Sequence, residues 1–207
     1  MQRAIIDLNL EPRIYTVDNF VSPAECNHMI ARAAGEGLNR AVVAGARKGV
    51  VSKGRTNDMC WLDHDADPAC LRIAKRVSAL VGLPLAHSER FQMIHYGHGA
   101  EYRPHFDAFD PKTPNGKRTW RSGGQRLITV LGYLNTPEKG GATVFPKLKL
   151  AVPAERGKLV VFHNCVPGTD IRHPHSLHGG ALVEVGEKWA FNLWFRSGFH
   201  PKEVAPR

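Results

Sequence analysis

Nowhere does this 207-residue chain carry a C-x-x-C pair, and its four cysteines (Cys26, Cys60, Cys70, Cys165) form no disulfide-like framework. That argues against a stapled secreted scaffold and makes a reducing, cytoplasmic setting the expectation. The H-E-x-x-H motif of helical zinc hydrolases is also missing. In MQRAIIDLNLEPRIY, charges break the only short apolar run, so neither a signal peptide nor a membrane span is expected there. No fixed repeat and no low-complexity tract occurs. Acidic residues are the scarcer charge, 19 against 28 Lys and Arg, which leaves a net charge of +9. The excess is scattered, with modest clusters at Arg47–Arg55 and Lys117–Arg126. No basic helix, zinc finger or stacking platform accompanies it, so a solvated basic surface is expected and a nucleic-acid partner is not.

Hydrophobic residues make up 43% of the chain, enough to fill the core of one domain. The 20 glycines and 14 prolines call for many turns. Ser22-Pro23-Ala24-Glu25 reads as a capping box, followed by Cys26, Met29, Ile30 and Ala33 at helical period. Asp67-Pro68 opens a second helix with the stripe Cys70, Ile73, Ala74, Val77 and Val81, closed by Gly82. Between them GVVSKGRTNDMCWL predicts a strand or hairpin. From Ser88 short strands follow near 91–96, 103–107, 127–134, 158–163, 181–185 and 188–196. The expected fold is α+β, mainly β with flanking helices. A largely helical supporting part, residues 1–87, backs a barrel-like or jelly-roll core at 88–200.

His105 and Asp107 in RPHFDAF share one face of a strand, because side chains alternate. The pair alone fits a hydrogen-bonded couple as well as a metal site. A third ligand is sought in FHNCVPGTDIRHPHSLHGG, where His178 stands at the start of a strand before Gly179 and Gly180, with His175 as its rival. Two histidines and a carboxylate match the facial triad of non-haem iron oxygenases, and leave zinc open. In KWAFNLWFR, Trp189, Phe191, Leu193 and Phe195 form one apolar face. The other carries Lys188, Ala190, Asn192 and Trp194, the lining of a pocket for a small anion. A lysine facing inward needs an anionic partner to offset its desolvation.

These residues resemble the prolyl 4-hydroxylase family of Fe(II)/2-oxoglutarate dioxygenases, from about Arg55 to Arg196. The resemblance is carried by RTN at 55–57, ERFQMIHYGHGAEYRPHFD at 89–107, RLITVLGYLNTPEKGGATVFP at 126–146, KLVVFHN at 158–164 and SLHGGALVEVGEKWAFNLWFR at 176–196. It implies a double-stranded β-helix, or jelly-roll, core. It further implies His105, Asp107 and His178 as iron ligands and Lys188 as the anchor of the distal carboxylate of 2-oxoglutarate. Tyr96 is implied in the cosubstrate pocket, with Tyr133, Thr143, Asn192 and Trp194 as further lining. Tyr102 is expected to border the metal or substrate channel. The implied cosubstrates are 2-oxoglutarate and O2, the metal is Fe(II), and ascorbate is the implied reductant. The chain departs from the family at Ala142, where an acidic residue is usual, and in HPHSLH.

The expected activity is prolyl 4-hydroxylation of a peptide or protein, with release of succinate and CO2. Hydroxylation of a free amino acid or small molecule, and a noncatalytic nucleic-acid-binding jelly roll, are the alternatives. The segment 109–125, FDPKTPNGKRTWRSGGQ, is read as a loop covering the site, with Arg118 or Trp120 touching substrate.

Overall fold

Local sequence signals start both long helices. In the computed structural model, which describes residues 4–43, 50–51 and 54–199, Ser22 caps the first helix through a complete capping box with Glu25. Asp67 caps the second by accepting from the backbone N–H groups of Ala69 and Cys70. The chain runs β1 (Ile5–Leu10), β2 (Arg13–Val17), α1 (Pro23–Glu36), β3 (Asn39–Arg40), β4 (Val42–Val43), β5 (Val50–Val51), β6 (Asp58–Leu62), α2 (Pro68–Val81), β7 (Phe91–Tyr96) and β8 (Tyr102–His105). It continues with α3 (Pro114–Trp120), β9 (Arg126–Tyr133), β10 (Lys139–Gly140), β11 (Thr143–Phe145), β12 (Leu150–Val152), β13 (Leu159–His163), β14 (His178–Gly180), β15 (Val183–Val185) and β16 (Lys188–Arg196).

Most strands assort into an eight-stranded antiparallel sheet, ordered β1-β2-β13-β9-β16-β7-β6-β3, and a four-stranded one, β12-β11-β14-β8, while β4 pairs with β5 and β10 with β15. Two cores follow from this layering. Trp189, Phe191, Leu193 and Phe195 of β16 pack in one cluster with Met29 of α1 and Ile73 and Val77 of α2. Ala190 joins a second cluster with Tyr96, Tyr133, Phe145 and Phe162, drawn from both sheets. One strand thus serves two interiors through its period of two. The mainly β, jelly-roll expectation agrees with this architecture.

Residues 1–87, expected to be largely helical, need correction. They supply α1 and α2, but also β1, β2, β3 and β6 to the large sheet. The four apolar side chains of β1, Ile5, Ile6, Leu8 and Leu10, are all exposed, so the usual buried-face alternation is absent there. The segment 109–125 is corrected too, because it contains α3. Thr113 caps that helix, with Pro114 at its first position and the Thr113 hydroxyl accepting from Gly116 N–H. The turn-forming composition of TPNG conceals this start. The basic cluster at Arg47–Arg55 lies mostly outside the described residues.

Glu25 links the two long helices. Its carboxylate accepts from Arg76 of α2 at 2.6 and 3.0 Å and from the Ser22 backbone N–H at 2.9 Å. The Arg76 hydrogen bonds, with smaller help from Ser22, outweigh burial and hold the carboxyl down at about 2 against its usual 4.5. The stabilisation is therefore present above pH 4.5 and is lost as pH falls towards 2. Glu25→Gln keeps the capping geometry and removes the charge. It is expected to cost about 1 kcal/mol at pH 7, with the gap closing on acidification. Urea melts of both proteins across that range check it, and a constant gap would refute the linkage.

Candidate metal centre and cosubstrate pocket

Sheet register brings the first two candidate ligands together. His178 of β14 stands directly opposite His105 of β8 in an antiparallel pair. Their rings lie 4.5 Å apart, centroid to centroid. Gly179 permits this pairing, since a Cβ there would come within 2.8 Å of the Tyr102 carbonyl oxygen. Asp107, two residues past His105, returns to the same face. The ligating atoms of His105, Asp107 and His178 all lie within 4.8 Å of one another.

Outer hydrogen bonds select which atoms face the centre. His105 Nδ1 meets the Arg103 carbonyl at 3.0 Å, and His178 Nδ1 meets the Ser176 carbonyl at 2.9 Å. A proton on each Nδ1 leaves both Nε2 lone pairs free for a metal. Asp107 Oδ2 accepts from Thr129 Oγ1 at 2.7 Å and Trp194 Nε1 at 2.8 Å. These two donors are themselves a cross-strand pair of β9 and β16. Oδ1, 3.7 Å from His105 Nε2, is the oxygen left for an ion. Tyr102 stacks on His105 at 3.7 Å, while Phe162 lies 4.5 Å from His178.

Charge follows the same arrangement. Burial and the neighbouring His178 push His105 down to about 3, so its ring is neutral. Burial alone would raise Asp107. The imidazoles of His178 and His105, the Arg126 guanidinium and the Trp194 N–H together hold it well below the usual carboxylate range. Imidazole nitrogens and an ionised carboxylate on one face suit a divalent, redox-active first-row metal. The residues present therefore fit Fe(II).

Thr129 was not legible as a site residue, though it is the polar member of the inner-facing series Thr129, Leu131, Tyr133. Its hydroxyl also accepts from Asn164 Nδ2 at 2.8 Å. Thr129→Val leaves Trp194 as the sole donor to Oδ2 among the described residues. It is expected to weaken Fe(II) binding by about tenfold, the low end for outer-partner losses. An anaerobic Fe(II) titration reads this directly, and unchanged affinity would show that Oδ2 needs no second anchor.

Lys188 begins β16, opposite Tyr96 of β7 in register. It is 2% exposed, so it does not reach solvent. Nζ donates to the Gly141 carbonyl at 2.7 Å and lies 5.2 Å from the ring centroids of both Tyr96 and Tyr133. Tyr133 donates to Thr143 Oγ1 at 2.7 Å. Among the described residues no carboxylate pairs with this ammonium, and burial lowers its pKa to about 7. A buried cation without an anion fits a carboxylate-bearing cosubstrate.

The other expected residues separate. Trp194 spends its N–H on Asp107, and Asn192 donates to Gln92 Oε1 at 3.2 Å. Next to the candidate ligands lies a cleft of about 480 Å³, lined by Tyr102, Trp194 and Gln92 among others. Of α3 and its cap, Thr113, Asn115, Gly116 and Thr119 line it, while Arg118 and Trp120 do not. Positions 113, 116 and 119 recur every three residues on one helix face, and Arg118 donates to the lining residue Asn115 at 2.6 Å. Neither Arg118 nor Trp120, the two residues expected to touch substrate, is part of this lining.

Comparison with known proteins agrees with this geometry. A family model described as the 2OG-Fe(II) oxygenase superfamily matches residues 91–196. The chain is 32% identical over 216 residues to probable prolyl 4-hydroxylase 10 of Arabidopsis thaliana, covering 94% of this chain and 72% of that one. It is 33% identical over 207 residues to prolyl 4-hydroxylase 2 of the same plant, covering 89% and 67%. Among solved structures, a viral collagen prolyl hydroxylase from Paramecium Bursaria Chlorella virus-1, in its 2OG complex, superposes with a TM-score of 0.72 at 27% identity, covering 88% and 95%. A Pseudomonas putida prolyl-4-hydroxylase, at TM-score 0.63 and 21% identity over 88% and 91%, supports the fold alone.

Proposed function

The chain belongs to the prolyl 4-hydroxylase family of the 2OG-Fe(II) oxygenase superfamily, and from that premise we propose that it hydroxylates prolyl residues of a peptide or protein, releasing succinate and CO2. It is a 2-oxoglutarate-dependent dioxygenase, with Fe(II) as metal and 2-oxoglutarate and O2 as cosubstrates. The observation that carries the proposal is the pairing of one open-faced triad with one buried, anion-seeking lysine. A neighbouring cleft of about 480 Å³ has room for a side chain and adjoining backbone.

When bound, the iron and its cosubstrates supply the oxidising power, coupling decarboxylation of the keto acid to insertion of oxygen into a C–H bond. His105 Nε2, Asp107 Oδ1 and His178 Nε2 would hold the metal. Lys188 would hold the distal carboxylate by charge and position. Tyr96 and Tyr133 flank it and exclude water, which strengthens that attraction. Thr129 and Trp194 fix Asp107, and Tyr102 braces His105. Trp61, Phe106 and Phe109 add apolar wall to the cleft, shielding the reacting centre from solvent. A reducing setting is proposed as well, supported by four cysteines that are all free and buried.

The test is anaerobic binding of Fe(II) and 2-oxoglutarate, followed in air, with ascorbate as reductant, by succinate measurement against a library of proline-containing peptides. One succinate per oxygen atom added to a proline is expected. Faster turnover of free amino acids than of any peptide would sink the peptide reading while leaving the dioxygenase intact.

A further inference from the structure

Resting on the prolyl-peptide reading, we propose that Arg172 selects substrates carrying an acidic side chain close to the target proline. The cleft beside the metal ligands is lined by three arginines, Arg55, Arg126 and Arg172. Each guanidinium lies over an aromatic face: Arg55 over Tyr102 at 4.7 Å, Arg126 over Trp194 at 3.7 Å and Arg172 over Phe106 at 4.3 Å. Stacking holds the planar group flat and leaves its N–H edge to hydrogen-bond a ligand.

The three are committed to different degrees. Arg126 gives two hydrogen bonds to Glu89, at 2.6 and 2.7 Å. Arg55 donates to Asn57 and Gln92 at 3.0 and 3.3 Å. The Arg172 side chain makes no hydrogen bond among the described residues. Its nearest anion is Asp110 Oδ2 at 3.8 Å, beyond hydrogen-bond length. Asp110 is itself occupied at Oδ1, which accepts from Lys112 N–H at 2.9 Å. Arg172 therefore keeps most of its donors, at roughly one-third side-chain exposure, within reach of a ligand.

Position makes those donors relevant. Phe106, beneath the guanidinium, is the residue between His105 and Asp107, so Arg172 stands over the backbone that carries two metal ligands. The acidic residues lining the cleft are Asp107, committed to the metal, and Asp110. A carboxylate on the substrate would form a fork-shaped pair with Arg172 in partly desolvated surroundings. A lysine there would meet repulsion.

The experiment uses the full chain with Fe(II) and 2-oxoglutarate, and three peptides that differ only in Glu, Gln or Lys beside a single proline. The wild-type protein is expected to show kcat/KM about fivefold higher for Glu than for Gln, with Lys the poorest. Arg172→Glu should invert that order while 2-oxoglutarate binding stays unchanged. Asp110→Asn removes the competing carboxylate and should sharpen the preference for Glu, an increase that damage to the fold would not produce. Equal turnover of the three peptides overturns the charge selection and leaves prolyl hydroxylation standing. Retention of the Glu preference in Arg172→Glu overturns the role of Arg172. No hydroxylation of any peptide, with 2-oxoglutarate still bound, overturns both readings. Single-stranded DNA or RNA outcompeting the acidic peptide in an Arg172-dependent way overturns the peptide assignment in favour of nucleic acid.

Discussion

His178→Ala is expected to abolish Fe(II) binding and all turnover, whereas His175→Ala should leave both near the level of the unaltered protein. The two residues are three positions apart in HPHSLH, yet they occupy different environments. His178 is buried, its Nδ1 bonded to the Ser176 carbonyl and its ring placed by Phe162 and by the pairing of β14 with β8. Its Nε2 lies 3.4 Å from Asp107 Oδ2, and its ligating atom lies within 4.8 Å of those of His105 and Asp107. His175 is exposed in a short turn, with its ring 5.5 Å from that of His173. Removing one of three ligands exceeds the roughly 10–100-fold penalty of losing an outer partner. Anaerobic Fe(II) titration of both variants, with melting curves to verify folding, decides the matter. The reverse pattern, with His175 essential and His178 dispensable, would overturn the ligand set.

The difficulty of choosing between these histidines shows what the sequence could reveal. Period-two alternation assigns a side chain to a face but says nothing about which distant strand lies beside it. His105 and Asp107 were legible as a pair because they are two residues apart, at the end of β8 and just beyond it. That His178 stands opposite His105 is a matter of register between strands far apart in the chain. The resemblance pointed to His178, and spacing alone left His175 open. Strand β16 was legible for the opposite reason. Both of its faces are buried in different chemistry, one against α1 and α2 and one towards the pocket, so KWAFNLWFR displays each partner in its own composition. Strand β1 was not legible, because its apolar side chains face solvent. Helix α3 was hidden by its own cap, since Thr, Pro, Asn and Gly in succession serve a turn as readily as a helix start. Thr129, Asn164 and Arg172 escaped because their roles depend on contacts between segments distant in sequence.

Lys188→Met is expected to weaken 2-oxoglutarate binding by about 100-fold, the scale for truncating one member of a buried charge pair, while leaving Fe(II) affinity intact. The same substitution should raise thermal stability. Lys188 is buried with, among the described residues, only the Gly141 carbonyl as its hydrogen-bond acceptor, and methionine fills a similar volume without a charge to desolvate. Replacing buried ions with apolar residues often gains roughly 1–4 kcal/mol. The pH dependence separates the two effects by sign. Burial lowers the folded-state pKa to about 7 from the usual 10.5, so the unfolded chain binds more protons between those values. Stability contributed by this site therefore rises from pH 7 towards 10.5, where the destabilisation is progressively relieved. Binding of an anionic cosubstrate requires the protonated amine, so its affinity should fall above pH 7, approaching tenfold per pH unit. Tyr96 and Tyr133 face the amine from β7 and β9, and burial pushes both phenols above their ordinary range, so they stay neutral across this interval. Lys188→Met should flatten both profiles. Calorimetric titration of 2-oxoglutarate from pH 7 to 9, alongside melting curves of both proteins, supplies the test. An affinity unmoved by the substitution, or a variant that melts lower and keeps the original pH slope, would remove the lysine from the cosubstrate site.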